Sequence, residues 1–464
     1  MVKRFTAIIA GLLLAVIAPF NSFCLDINTL GGVKNSVEGV ISYKSSQLEA
    51  ENIEQLLNAL SENAGDYNSD WYYIALSQFG INCSNKKSVS ALKKAVDGFY
   101  NEGLENVKVT DLQRAAFALT ACGEDITSVN GHNLLADSTY NRKKYKELDS
   151  QGVNSLSYAL LLLDSKSYKI PESSGLTRGK IIDAILSFEL ENGGFALFGS
   201  GADIDITAIV TQALAPYRSN KKVKKSLDSC LDIFSKRQDN GGAYKSFSGK
   251  PTAESTAQVI IALNSLEIDI LNDTRFIKDG NTALDGLNSF RNGDGGYCHM
   301  QGYNTNAIAT YQSLCALVSA YRYLSGGGVF YDFNSKTDVS EKSVNKAIKN
   351  KSNTNVKKDK TSKSKTKNTG TVLTENPKAE TTVNGDYNSN TENKPKVTTK
   401  SEKLKSTTAP VDETRETVST SDEAVSVKNK TDNKKQEPVV PYISAGLLLL
   451  GYIVLFAKKA GGKK

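Results

Sequence analysis

The apolar residues of this 464-residue chain gather in a recurring pattern. Six segments, WYYIALSQFG, QRAAFALTACG, SLSYALLLLDS, TAIVTQALAPY, TAQVIIALNSL and TYQSLCALVSAY, are small and apolar almost all round. Each holds one Ala-Leu pair, beginning at Ala75, Ala118, Ala159, Ala213, Ala262 and Ala316, at steps of 43, 41, 54, 49 and 54 residues. A helix apolar on every side is a buried helix. Between these segments lie amphipathic stretches near 50–63, 89–101, 132–139, 178–190, 222–237 and 282–291. In 222–237, Val223, Leu227, Leu231 and Phe234 form one apolar stripe between lysines, the mark of a surface helix. Six inner and six outer helices in alternation predict an all-α fold, an (α/α)6 toroid over residues 25–334. Six such pairs are enough to close a ring, so closure is expected in preference to an open superhelix.

The last three pairs share a finer signature. Glu191-Asn192-Gly193-Gly194-Phe195, Asp239-Asn240-Gly241-Gly242-Ala243-Tyr244 and Asp294-Gly295-Gly296-Tyr297 precede inner segments that open with Thr207-Ala208, Thr256-Ala257 and Thr310-Tyr311. Paired glycines permit positive φ and a sharp turn, and the aromatic after them can pack back under it. Each Thr stands six residues before the Ala of its Ala-Leu pair. This combination resembles the repeat of the prenyltransferase and squalene-cyclase α/α toroids. The stretches Asp203 to Ala208, Gln212 to Tyr217, Glu254 to Gln258 and Ala309 to Gln312 are most similar to the secreted bacterial toroid domains related to the cobalamin carriers intrinsic factor and transcobalamin. The resemblance spans roughly residues 30–334 and implies the fold. It leaves activity open, because that superfamily contains enzymes and carriers alike.

The two ends of the chain carry a different message. Lys3 and Arg4 precede an apolar run from Ala7 to Phe20, with Ser22 and Cys24 as small residues ahead of a cleavage point, which predicts a signal peptide over 1–24. Val439 to Ala457 is uncharged and is followed by Lys458, Lys459, Lys463 and Lys464. Nineteen residues at about 1.5 Å each match the hydrocarbon thickness of a bilayer, so 438–457 is predicted to span the membrane and 458–464 to form a basic cytoplasmic tail. The expected location is therefore the cell membrane, single-pass type I, with the toroid outside. Residues 335–437 are rich in Lys, Thr, Ser and Asn and lack the apolar surface needed to offset chain entropy, so they read as a disordered stalk.

Charge narrows the function classes. The stalk segment holds 22 basic and 15 acidic residues, which leaves the body with more acids than bases. A mildly acidic body argues against a nucleic-acid partner. Two His and six scattered Cys argue against a zinc-finger array or a His-rich metal enzyme. Cys83 and Cys122 end neighbouring inner segments, which allows a disulfide between them.

Parallel inner helices would gather their N-termini at one end of the ring. Aligning on Ala-Leu puts Asp205 and Glu254 at the same place, eight residues before Ala213 and Ala262. Acids there cap a helix and complement its dipole, or form a carboxylate pair at a cavity mouth. Residues at or just before inner-helix starts are the ligand-binding candidates: Trp71, Asp111, Asn154, Asp203, Asp205, Glu254, Tyr303 and Asn306. The DxDD acid motif of squalene–hopene-type cyclases is matched only as DIDI, with Ile206 in the last position, and Trp71 is the single Trp. Asp205 would be the one candidate acid of such an enzyme. Protein prenyltransferases would need three zinc ligands, and Cys298-His299 supplies no such set. The reading is a membrane-held extracellular toroid with no catalytic role and no metal or cofactor, binding a small molecule or a cell-surface partner. The alternatives are a cobalamin half-clamp that needs a separate β domain, a terpene-cyclase-like enzyme using Asp205, and a structural adhesion protein.

Overall fold

The computed structural model describes residues 26–350. The expected signal peptide (1–24), membrane span (438–457) and tail (458–464) lie outside these residues, as does the stalk beyond 350. Among the described residues, no helix is long and apolar enough to cross a membrane. Thirteen bounded α-helices follow one another there: α1 (Leu30–Gln47), α2 (Ile53–Leu60), α3 (Tyr67–Phe79), α4 (Lys86–Glu102), α5 (Val109–Ala121), α6 (Leu134–Ser138), α7 (Gly152–Ser165), α8 (Arg178–Leu186), α9 (Ile204–Leu214), α10 (Lys221–Arg237), α11 (Ala253–Ser265), α12 (Ala283–Asn288) and α13 (Ala307–Ser325). Residues 341–350 are helical as well.

The six Ala-Leu segments are α3, α5, α7, α9, α11 and α13, and they form the inner wall. Each packs against the next, and α13 packs against α3, so the ring is closed and the fold is an α/α toroid. Closure follows from burial on all sides: Ala75, Ala116, Ala118, Ala159, Ala213, Ala262 and Ala316 are all buried. Small residues let neighbouring inner helices approach closely. The outer layer is α2, α4, α6, α8, α10 and α12, as the amphipathic stretches predict, plus one helix they do not. That helix is α1, which packs on α13 with Val33, Val37, Val40 and Ile41 buried. The outer layer thus has seven members among the described residues instead of six. Asn28 ties the entry of α1 to α12, accepting from Thr282 Oγ1 at 2.6 Å and donating to Asp285 at 3.0 Å.

The Gly-Gly signature is a hydrogen-bonded device repeated three times. The amides of Phe195, Tyr244 and Tyr297 each donate at 3.0 Å to the hydroxyl of Thr207, Thr256 and Thr310. All three aromatics are fully buried beneath the turn. Gly242 has φ +86°, and a Cβ there would collide with the Thr282 carbonyl, so no other residue fits. The loop after Tyr244 is a small antiparallel hairpin, β1 (Tyr244–Lys245) with β2 (Pro251–Thr252).

The body does not end at residue 334. After α13 the chain crosses the C-terminal ends of the inner helices and closes the ring from that side. Phe330 and Tyr331 are buried, and the Tyr331 ring lies 5.2 Å from Phe117 inside the ring. Phe333 N donates to Ser165 O at 3.0 Å. Arg322, itself fully buried, holds this segment. It donates to Val329 O at 3.2 Å, Asp332 O at 3.1 Å, Ser335 Oγ at 2.6 Å, Thr337 Oγ1 at 2.9 Å and, across the seam, Gln78 O at 3.2 Å. Val339, Val344 and Ile348 are also buried, so 335–350 belongs to the body and not to the stalk.

The expected Cys83–Cys122 disulfide is absent: both are free, buried thiols. Cys83 Sγ donates instead to the carbonyls of Tyr73 at 3.7 Å and Ile81 at 3.6 Å, and burial pushes its pKa up.

Replacing Arg322 with Met removes five hydrogen bonds from the closing segment and the seam, while the carbonyls of Val329, Asp332 and Gln78 each keep one other donor, Asp332 N, Gln78 Nε2 and Thr337 Oγ1. It is expected to lower the unfolding free energy by about 3–5 kcal/mol, read from denaturant midpoints. Thr256→Val keeps the shape but strips the Tyr244 amide of its acceptor. A loss of about 1–3 kcal/mol is expected in the same measurement.

Candidate functional site

All six inner helices start at the same end of the ring, and side chains cap several of those starts. Asp66 caps α3, Asp203 caps α9, Thr252 caps α11 and Asn306 caps α13. The opposite end is covered by residues 329–334, so the way into the ring is from the N-terminal ends. A cavity of about 240 Å³ opens there, lined by Tyr67, Trp71, Thr110, Arg114, Phe117, Tyr158, Ile308 and Tyr311. These residues come from α3, α5, α7 and α13, one side of the ring. Trp71 lies parallel to Tyr311 with centroids 6.3 Å apart and is tilted against Tyr158 at 6.2 Å. Tyr67 and Tyr311 are 5.8 Å apart. Tyr158 hydrogen-bonds Tyr331, so the closing segment supports one wall of the cavity from behind.

A charged group borders these rings. Arg114 donates to Asp70 Oδ2 at 3.1 Å, to Asp111 Oδ1 at 2.6 Å and to Gly65 O at 2.7 Å. Two carboxylates share one guanidinium, so the set carries one net negative charge when both acids are ionised. Burial pushes Asp70 up to about 6, against the pull of Arg114. The acid excess of this set is therefore half lost at about pH 6 and complete only well above it.

The other side of the ring is closed by amides. Gln212 Nε2 donates to Gln258 Oε1 at 3.1 Å, and Gln258 Nε2 donates to Gln312 Oε1 at 3.0 Å. This ladder links α9, α11 and α13 inside the ring.

The second acidic group lies at the starts of α9 and α11. Asp203 accepts from the amides of Asp205 at 2.8 Å and Ile206 at 3.1 Å, which is a helix cap. Asp205 hydrogen-bonds Ser255, while its Oδ1 is buried with no hydrogen-bond partner among the described residues. Burial, then the charges of Asp203 and Glu254, push Asp205 up to about 7. Glu254 is buried and bonds His299 Nδ1 at 2.8 Å; burial raises its pKa despite the imidazole. Chemically, this group can hold a proton on Asp205 near neutral pH and present the far nitrogen of His299 to solvent.

The eight sequence candidates thus divide. Trp71 walls the cavity and Asp111 anchors Arg114 at its mouth. Asp205 and Glu254 share a second cluster, with Asp203 beside them as a cap. Asn154, in the first turn of α7, has a buried carboxamide oxygen without a partner among the described residues and does not line the cavity. Asn306 is an N-cap, accepting from Ile308 N at 2.8 Å and Ala309 N at 3.0 Å. Tyr303 is 62% exposed on a rim loop and does not line the cavity. Arg114, Phe117, Tyr158 and Tyr311 were not among the candidates. Arg114 stands four residues before its Ala-Leu pair, as Trp71 does, and Phe117 and Tyr158 each stand one before theirs. That shared phase points Arg114, Phe117 and Tyr158 inward, three of the seven lining residues that were not candidates.

Because Asp205 accepts protons more readily folded than unfolded, its favourable contribution is present below about pH 4 and is lost as pH rises through 7. Asp205→Asn removes that loss. It is expected to raise stability relative to wild type by about 1–3 kcal/mol at pH 8 and by much less at pH 5, in paired thermal melts.

No protein-family model matches the chain, and no curated protein matches it either. Among solved structures, the unsaturated glucuronyl hydrolase of Bacillus sp. GL1 is 12% identical, aligns with 66% of this chain and 99% of its own, and has a TM-score of 0.43. Candida albicans protein geranylgeranyltransferase-I, solved with GGPP, is 14% identical over 68% of this chain and 98% of its own, with a TM-score of 0.41. Similarity at this level carries no activity across, and the toroid assignment stands on the closed ring of inner helices.

Proposed function

We propose that this chain is an exported, membrane-held binding protein whose ring mouth receives the organic-cation end of a small ligand, without catalysing a reaction on it. The observation that carries this reading is the cavity of about 240 Å³ walled by Tyr67, Trp71, Tyr158 and Tyr311 beside a guanidinium that two carboxylates share. Aromatic faces attract an ammonium group by their quadrupoles, by about 0.5–2 kcal/mol per ring. The extra carboxylate charge adds to that attraction. The cavity is at the small end for a ligand pocket, which suits one substituted ammonium head rather than a whole drug-sized molecule. The apolar run 439–457 and its four following lysines support the membrane-held part of the reading. A carrier role for cobalamin would need a partner domain over the mouth, since the cavity is far too small to enclose a corrin ring.

Trp71 is the only Trp in the chain, so tryptophan fluorescence reports on the cavity wall alone. Titration with choline is expected to give a saturable change, and Tyr311→Leu to weaken binding about tenfold. The affinity is expected to fall as pH drops through about 6, where Asp70 takes up a proton. An equal response to 3,3-dimethylbutanol, the uncharged isostere, would sink the cation reading. Retention of cobalamin in equilibrium dialysis would replace it with the carrier reading.

A further inference from the structure

Among the described residues only five large apolar side chains are exposed, and the three most exposed share one rim. Phe198 (87%), Phe247 (48%) and Tyr303 (62%) stand on the three loops that follow the Gly-Gly turns. Phe198 and Phe247 occupy the same position, three residues after the buried anchors Phe195 and Tyr244. The loops are joined to one another. Arg237 donates to Ser246 O at 3.3 Å and Ala202 O at 3.5 Å, linking the first two. Gly201 lies against the Phe247 ring. Ala253 N donates to His299 O at 3.1 Å, linking the third loop to the second. Three apolar tips are therefore held on one connected rim at the open end of the ring.

Nothing inside the body requires these rings to be in water, and each exposed one is unfavourable there. The Phe247 tip sits in the sequence Lys245-Ser246-Phe247-Ser248-Gly249-Lys250, an aromatic between two lysines on a hairpin. Of the three tips only Phe247 is flanked by lysines, and such a tip suits the boundary of an anionic bilayer, where the ring enters the head-group layer and ammonium groups meet phosphates. The chain beyond residue 350 ends in the uncharged run 439–457, more than eighty residues on. A tether of that length keeps the rim at high local concentration next to the surface that holds its end.

We propose that the loops bearing Phe198, Phe247 and Tyr303 dock the ring mouth onto an anionic lipid surface. This rests on the membrane tether of the reading above and not on the identity of the ligand. The rim then turns the cavity mouth toward the bilayer, so the ligand is one displayed at, or released from, the lipid surface.

The test uses the full chain, with a site-specific protease sequence inserted in 351–437. It is mixed with vesicles of phosphatidylcholine and about one-third phosphatidylglycerol, sedimented, then cut and sedimented again. Wild-type body is expected to stay with the vesicles after the cut. Retention is expected to fall at least fivefold in the Phe198→Ser, Phe247→Ser, Tyr303→Ser variant, and also on vesicles of phosphatidylcholine alone. An unchanged melting temperature shows that the variant is folded, since all three sites are exposed. Release of wild-type body on cutting overturns the docking rim but leaves the tether standing. Failure of the uncut chain to sediment overturns both. Retention indifferent to the three substitutions, or capture only by an insoluble glycan, also overturns the rim.

Discussion

One buried guanidinium holds the two ends of this ring together. Arg322 lies near the end of α13, the last inner helix, and reaches Gln78 O near the end of α3, the first. Its other donors hold the segment 329–337 across the bottom of the ring. A cation is costly to bury, and here five oxygen acceptors replace the lost water while the nearby Asp332 carboxylate offsets part of the charge. Burial still lowers its pKa to about 10, which leaves it charged at any physiological pH. The same group therefore closes the circle and stoppers it. The stopper brings Tyr331 against Phe117 and Tyr158, so two residues of the cavity wall are supported by a contact made at the far end of the ring.

Much of this fold is written in the local pattern. Inner helices announce themselves because burial on all sides demands small apolar residues, and Ala-Leu marks the phase of each. The Thr that accepts the amide after each Gly-Gly turn is visible as a fixed six-residue spacing, because the turn and the helix start are one rigid unit. What escaped is what depends on contacts far apart in sequence. Helix α1 carries valines among Ser, Gly and Lys, a weak stripe by itself, and becomes a layer only when α13 lies under it. The stretch 335–350 has the composition of a solvated spacer, yet Thr337, Val339 and Val344 have places prepared by residues more than two hundred positions earlier, Gln78 among them.

The site divides along the same line. Asp205 and Glu254 could be found by register, since both precede a helix start by the same amount. Register could not say which of the acids is a cap and which is left uncapped. Asp203 takes the cap, and its neighbour two residues on is left with a buried, partnerless oxygen. Nor could register bring His299 to Glu254, since that contact crosses from the third rim loop to the first turn of α11. The aromatic cavity is the reverse case. Its residues share a helical phase that is legible, but they look like ordinary core until the ring shows that α3, α5, α7 and α13 leave a gap between them.

That gap is itself informative. Protein cores pack densely, and a sealed, dry void of about 240 Å³ would cost about 6 kcal/mol in lost contacts. The opposite half of the ring avoids such a cost by filling its interior with bonded glutamines. On the open half, large rings are held apart instead, Trp71 by its contacts with Tyr158 and Tyr311, and Tyr158 by its bond to Tyr331. Because the cavity opens at the mouth, water has access to it, and water against ring faces is readily given up. Displacing it is favourable for any group that matches those faces, while the glutamine ladder and the stopper keep the groups around the cavity from collapsing into it. The ring is thus filled by bonded side chains on one half and open between held-apart aromatic faces on the other.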